Sequence, residues 1–135
     1  MTATPTEIRF PTPEAGRICE GVYSECRSYD HRGIVFSWVL PPGLTLARAA
    51  VDVEAMDCPV DAFGARFGLT ADIFLARWTA LEALAKALDQ PILSLLKQHG
   101  LSCAATSHWT RFEGTAVWLR GIEHPTHWVT VAAVI

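Results

Sequence analysis

The chain has 135 residues, half of them hydrophobic and 19% charged, with 11 Lys and Arg against 14 Asp and Glu for a formal net charge of −3. That size and apolar content suit one hydrophobic core, so a single domain is expected. The basic residues stand singly from Arg9 to Arg120 and make no stripe for a phosphate backbone, and the longest apolar stretches, 34–40 and 126–135, fall short of the roughly 20 residues that cross a bilayer, so neither nucleic acid nor a membrane span is expected.

Residues 1–16 carry Pro5, Pro11 and Pro13 and read as an extended arm, because proline fixes φ and biases the preceding residue away from helix. Met1 to Phe10 shows no basic start followed by an apolar block, so no secretion signal is expected. The four cysteines, Cys19, Cys26, Cys58 and Cys103, then read as free thiols in a reducing setting. Between Ile18 and Leu40 lie two short strand-like runs; the stronger, Ile34 to Leu40, stops at Pro41-Pro42-Gly43. They predict a β-containing amino-terminal lobe over 17–52. Leu44 to Val53 fits a short helix capped by Thr45, although Val51 and Val53 suit a strand equally.

Asp57-Cys58-Pro59 has the form of a helix start, and a helix is predicted from about Pro59 to Phe67, stopped by Gly68. Thr70 caps a second helix with Asp72 in its first turn, whose buried face is Phe74, Trp78, Leu81, Leu84 or Ala85, and Leu88. Pro91 opens a third helix, Ile92 to Gln98, closed by Gly100. Beyond it the period becomes strand-like over Ser102 to Thr106, His108 to Phe112, Thr115 to Leu119 and His127 to Val134, with turns at Glu113-Gly114 and Gly121. Helices followed by strands predict an α+β fold, a small helical layer packed on an antiparallel sheet.

A thiol becomes a good nucleophile as thiolate, and a helix amino terminus with a nearby imidazolium favours that form. Cys58 stands at the predicted helix start, and His127 opens the last strand after the loop His124-Pro125-Thr126. A cysteine on a helix and a histidine on a strand, in that chain order, form a nucleophile and general base of papain type. The plain alternatives are a cysteine buried in a core and an edge-strand histidine with Trp128 in the core. The last residues, Val129 to Ile135, end inside an apolar strand, which reads as excision from a larger polypeptide.

From Val53 to Ile135 the sequence resembles the papain-like, ovarian-tumour-related proteases of tymoviruses and their relatives. The resemblance rests on Asp57-Cys58, Phe67-Gly68-Leu69-Thr70, Trp78, Ile92 to Leu96, and Pro125-Thr126-His127-Trp128, in that order. It implies a papain-like or ovarian-tumour-like catalytic core over 53–135 within a protease domain over 17–135, with Cys58 and His127 catalytic and Pro125, Thr126 and Trp128 near the substrate. It implies a deubiquitinase and processing protease acting on viral polyprotein junctions and on ubiquitin, in a replication complex in the host cytoplasm, with no cofactor. Two positions depart from papain-like patterns. Pro59 offers no N–H to an oxyanion, which leaves the N–H of Cys58 or a mobile donor, and Val129 stands where an orienting Asn or Asp often follows the histidine, so a Cys-His dyad is expected.

Other groupings compete with that pair. Cys19, Cys26, His31 and Cys103 could ligate zinc, but the first two are spaced too widely for a knuckle, and no metal site is expected. His99 and His108 are alternative bases. Glu54 and Glu82 show no pairing that sequence reveals. The functional rivals are a non-catalytic interaction module of the same fold and a papain-fold amidase or acyltransferase toxin.

Overall fold

The apolar run that closes the chain becomes the strand on which every layer rests. The computed structural model describes residues 13, 16–44, 46–102, 105 and 108–135. Its elements in chain order are β1 (Arg17–Glu20), β2 (Arg27–Tyr29), β3 (Val35–Val39), β4 (Arg48–Ala55), α1 (Asp61–Arg66), α2 (Ala71–Leu88), α3 (Ile92–His99), β5 (Trp109–Phe112), β6 (Thr115–Ile122) and β7 (His127–Val134). The strands form two antiparallel sheets, ordered β1-β3-β2 and β4-β7-β6-β5. The fold is α+β with a helical layer on an antiparallel sheet, as expected, and the small sheet adds a third layer on the opposite face.

Strand alternation divides the core in two. Val129, Val131 and Ala133 of β7, with Val51 and Val53 of β4 and Trp118 of β6, pack against Phe36 and Trp38 of the small sheet. The Trp38 and Trp118 rings stack with centroids 6.0 Å apart. On the other face Ala50, Val117, Leu119, Ala132 and Val134 meet Phe74, Leu81 and Leu84 of α2 and Leu95 of α3. With both faces covered, β7 can be almost continuously apolar.

The helices follow their local signals. Thr70 Oγ1 accepts from the Ile73 N–H at the start of α2, and Asp89 ends it in a left-handed conformation. Pro91 and Gly100 bound α3, which runs one residue past its expected end. Glu113 and Gly114, both at positive φ, make the two-residue turn between β5 and β6.

Several expectations are corrected. Of the helix and the strand that both fit Leu44 to Val53, the structure has the strand, over 48–55: Ala50, Asp52 and Glu54 share one face, Val51, Val53 and Ala55 the other, and the whole segment pairs with β7 from Arg48↔Val134 to Ala55↔His127. That strand crosses the boundary expected at 52/53. Helix α1 is shorter than expected and starts only at Asp61. Ser102 and Ala105 lie outside any strand. The proposed cap Thr45, Cys103 and nearly all of the amino-terminal arm lie outside the described residues.

Helix α1 is held to the turn before α2 at Gly64, where an added Cβ would lie 2.8 Å from the Leu69 carbonyl oxygen and 3.4 Å from Phe74 Cβ. Exchanging a helical glycine for alanine ordinarily gains up to about 1 kcal/mol of helix propensity. Here the clash reverses the sign, and Gly64→Ala lowers the urea midpoint. An equal or higher midpoint would show that α1 does not approach the turn this closely.

Candidate functional site

His127 opens β7 on the side facing the small sheet, where its ring packs 4.7 Å from that of Phe36. Its Nε2 lies 2.9 Å from Oδ2 of Asp30, a carboxylate whose side chain is completely buried. Asp30 sits in the turn between β2 and β3, where its Oδ1 accepts the N–H groups of Arg32 and Ile34 at 2.8 and 2.9 Å. Burial alone would raise the Asp30 carboxyl, but the hydrogen bonds from His127, Ile34 and Arg32 outweigh it and hold the group below its ordinary value. An ionised Asp30 requires Nε2 to carry a proton; in the neutral ring Nδ1 is then the acceptor, 2.8 Å from Thr126 Oγ1. His124 stands beside this pair, its ring 5.4 Å from that of His127, and burial followed by the neighbouring imidazole lowers its pKa.

Cys58 follows the end of β4 in a tight turn. Its N–H donates to the Ala55 carbonyl at 3.0 Å, and the Met56 N–H donates to the Thr126 carbonyl at 3.0 Å. Since α1 begins at Asp61 with Val60 as its cap, Cys58 is not at the mouth of a helix, which corrects the expected source of its activation. Its N–H is also engaged, so of the two expected oxyanion donors the Cys58 N–H is taken and the mobile donor is left. The sulfur packs on the helical core and lines an apolar groove of about 420 Å³ with Phe63, Phe67, Phe74, Trp78 and Leu93. Burial, then the carboxylates of Glu54, Asp57 and Asp30, raises the thiol pKa against the opposing Arg32. The thiol therefore rests protonated.

Although Ala55 pairs directly with His127, the two expected catalytic side chains face different layers. His127 lines a separate groove of about 850 Å³ with Met56, Arg77, His124, Pro125 and Trp128. Among the described residues, no hydrogen bond or ring contact joins Cys58 to His127. Trp128, the register partner of Glu54, packs on the helical side, and its buried Nε1 has no acceptor among the described residues. Pro125 and Thr126 are exposed. An ion pair between Arg32 and Asp57 links the Asp30 turn to the Cys58 turn.

The expectation of an imidazole without a third partner is corrected by Asp30, which lies 97 positions from His127. The residues that follow His127 carry no trace of it; its signal is the run Asp30-His31-Arg32-Gly33 before a strand, a side-chain-stabilised turn. The second group missed is acidic. Asp52 and Glu54 on β4 converge with Glu82 on α2, while Lys86 Nζ bonds Asp52 Oδ1 at 2.9 Å, the Val51 carbonyl at 3.2 Å and Ser28 Oγ at 3.3 Å. Burial and then Glu82 raise the Asp52 pKa, and the same two causes push Glu54 up to about 7. Of the other candidates, Cys19 and Cys26 are half-buried thiols, the latter pushed up to about 11 by burial, and His31 is exposed. His99 bonds Glu113 at 3.0 Å, and His108 is exposed.

Comparison with family models, curated proteins and solved structures gives no match to this chain.

Two outcomes follow from this geometry. Because the Asp30 pKa is depressed on folding, its stabilising contribution is full above the unfolded carboxyl value of about 4 and disappears as pH falls through the lower folded value. Unfolding free energy therefore drops with acid across that window. Asp30→Ala removes that part of the drop and costs about 1–3 kcal/mol near neutrality, read by denaturant melts; an unchanged acid limb would show that Asp30 is not the linked group. Alkylation of Cys58 by iodoacetamide, followed by peptide mass spectrometry, is slow near neutrality and accelerates only above the ordinary thiol range. Fast neutral alkylation that His127→Ala abolishes would instead reveal a thiolate–imidazolium pair.

Proposed function

We propose that this chain is a thiol hydrolase of papain-like, ovarian-tumour-related type that cleaves peptide and isopeptide bonds, with Cys58 as nucleophile, His127 as base and Asp30 as the carboxylate that orients the ring. The observation that carries this reading is the 2.9 Å contact between buried Asp30 Oδ2 and His127 Nε2. A carboxylate on one ring nitrogen fixes the tautomer and steadies the imidazolium that forms when the other nitrogen takes a proton. Nδ1 is that other nitrogen, and it already binds a hydroxyl.

The thiol must come to it. Attack requires the turn from Ala55 to Cys58 to rotate until the sulfur replaces the Thr126 hydroxyl at Nδ1. The β4–β7 pairing supports this route, because it keeps the base of that turn beside His127. The S–H proton then passes to Nδ1, sulfur bonds the carbonyl carbon, and His127 returns the proton to the amine as the C–N bond breaks. Water activated by the same nitrogen hydrolyses the thioester. The groove lined by Met56, His124, Pro125 and Trp128 gives room for an extended chain. The viral setting, the polyprotein junctions and the ubiquitin tail rest on the resemblance in Asp57-Cys58 and Pro125 to Trp128.

A second reading, a non-catalytic interaction module, is favoured by one observation: Cys58 sits protonated in an apolar groove rimmed by exposed Phe63, Phe67 and Leu93. Ubiquitin bearing a carboxyl-terminal propargylamide, together with a precursor extended beyond both ends of the chain, separates the two. The hydrolase labels at Cys58 or cleaves the precursor; Cys58→Ala and His127→Ala abolish both, and Asp30→Asn slows them by about 10²-fold or more. A folded chain that neither labels nor cleaves leaves the interaction module.

A further inference from the structure

Away from His127, the densest gathering of charge lies between β4 and α2. Asp52 and Glu54, two residues apart on the helix-facing side of β4, meet Glu82 from α2, and one carboxylate oxygen from each lies within 4.8 Å of the other two. Asp52 and Glu82 are in hydrogen-bonding contact. An ionised carboxylate is an acceptor only, so two of them keep such a contact with a proton between them. Lys86 does not supply it, because its ammonium is spent on Asp52 Oδ1, the Val51 carbonyl and Ser28 Oγ, while Oδ2, on a side chain only 3% exposed, has no donor among the described residues. Charge balance points the same way. Fully ionised, three carboxylates against one ammonium leave two negative charges in excess, and one bound proton halves that excess. From the surrounding elements, Asp30 in the β2–β3 turn adds to the negative field at Glu54 and His127 of β7 offsets it, Cys26 before β2 faces Lys86, and the Cys58 thiol faces Glu54.

We propose that Asp52 and Glu82 share one proton that clasps α2 to β4, which makes the joint between the helices and the central sheet a device that loosens in alkali. Burial, then the contact with Glu82 and its charge, raises the Asp52 carboxyl, and burial, then Glu82, pushes Glu54 up to about 7. Both folded values stand above the unfolded ones of about 3.9 for Asp and about 4.3 for Glu, so the cluster holds protons that the unfolded chain has released. Its stabilising contribution is therefore full below about pH 4 and is lost as pH rises, first through about 7 at Glu54 and then at the more deeply buried Asp52. This is the reverse of Asp30, whose contribution is lost in acid. β4 runs from the cluster into the turn that carries Cys58, and Lys86 reaches Ser28, two residues before Asp30, so the joint bears on both faces of the sheet. The inference stands whether or not the chain cleaves peptides.

Urea unfolding of the full chain between about pH 5 and about pH 9 tests this, with Glu82→Gln as the comparison, because the amide donates to Asp52 at every pH and stands in permanently for the protonated group. The wild-type midpoint falls across this range. Glu82→Gln, at a half-buried position, falls less and equals or exceeds the wild type at the alkaline end; taking the difference at each pH cancels the lysines, tyrosines and cysteines common to both chains. Infrared spectra give the second reading. At about pH 8, where ordinary carboxyls are ionised, the wild type shows the carbonyl band of a protonated carboxyl, and Glu82→Gln loses it. Asp52→Asn loses it too if it folds, and Glu82→Gln decides the matter if it does not. An equal alkaline fall in the wild type and Glu82→Gln, or the absence of that band from the wild type, overturns the shared proton.

Discussion

Everything in this molecule is organised around a strand that has no solvent face. β7 lies between β4 and β6 within its sheet, with the small sheet on one side and the helices on the other. Successive residues of such a strand must project into different layers. His127 therefore enters the layer of Phe36 and Asp30, and Trp128 the layer of the helices. The same constraint separates His127 from Cys58, whose turn drops toward α2 and α3 once β4 has ended. Two residues that sequence places in one site are thus delivered to the two sides of one sheet.

β4 shares this division. Its Val51 and Val53 complete the core beneath the small sheet, while Asp52 and Glu54 carry charge into the helical side. Carboxylates on a covered face are unusual and need partners, and Lys86 is the nearest. Its ammonium also reaches Ser28 in β2, so one side chain on α2 contacts parts of all three layers. Asp30, Asp52 and His127 are buried polar groups whose side chains tie together segments distant in sequence.

Local signals were legible and long-range ones were not. Thr70, Gly68, Pro91 and Gly100 announce the helix bounds because capping and left-handed turns depend on a few adjacent residues. The apolar run from Val129 to Val134 and the Glu113-Gly114 turn likewise reveal the hairpins. The strand at 48–55 was ambiguous because what makes it a strand is β7, some 80 residues away along the chain. Asp30 was invisible as a partner of His127 for the same reason. The position of Cys58 depended on whether the helix began at Pro59 or Asp61, a shift small enough for local propensity to leave open yet large enough to remove the thiol from the helix end.

The ion pair between Arg32 and Asp57 joins the turn that holds Asp30 to the turn that holds Cys58, and both of its side chains are more than half exposed. It is the surface clasp between the two halves of the proposed chemistry, and water and mobile ions reach it freely. A bond of this kind slackens as the ionic atmosphere thickens, over a Debye length of about 10 Å at 0.1 M salt. The rotation that the proposed chemistry asks of the cysteine turn would thus be opposed more by this clasp in dilute buffer than in brine.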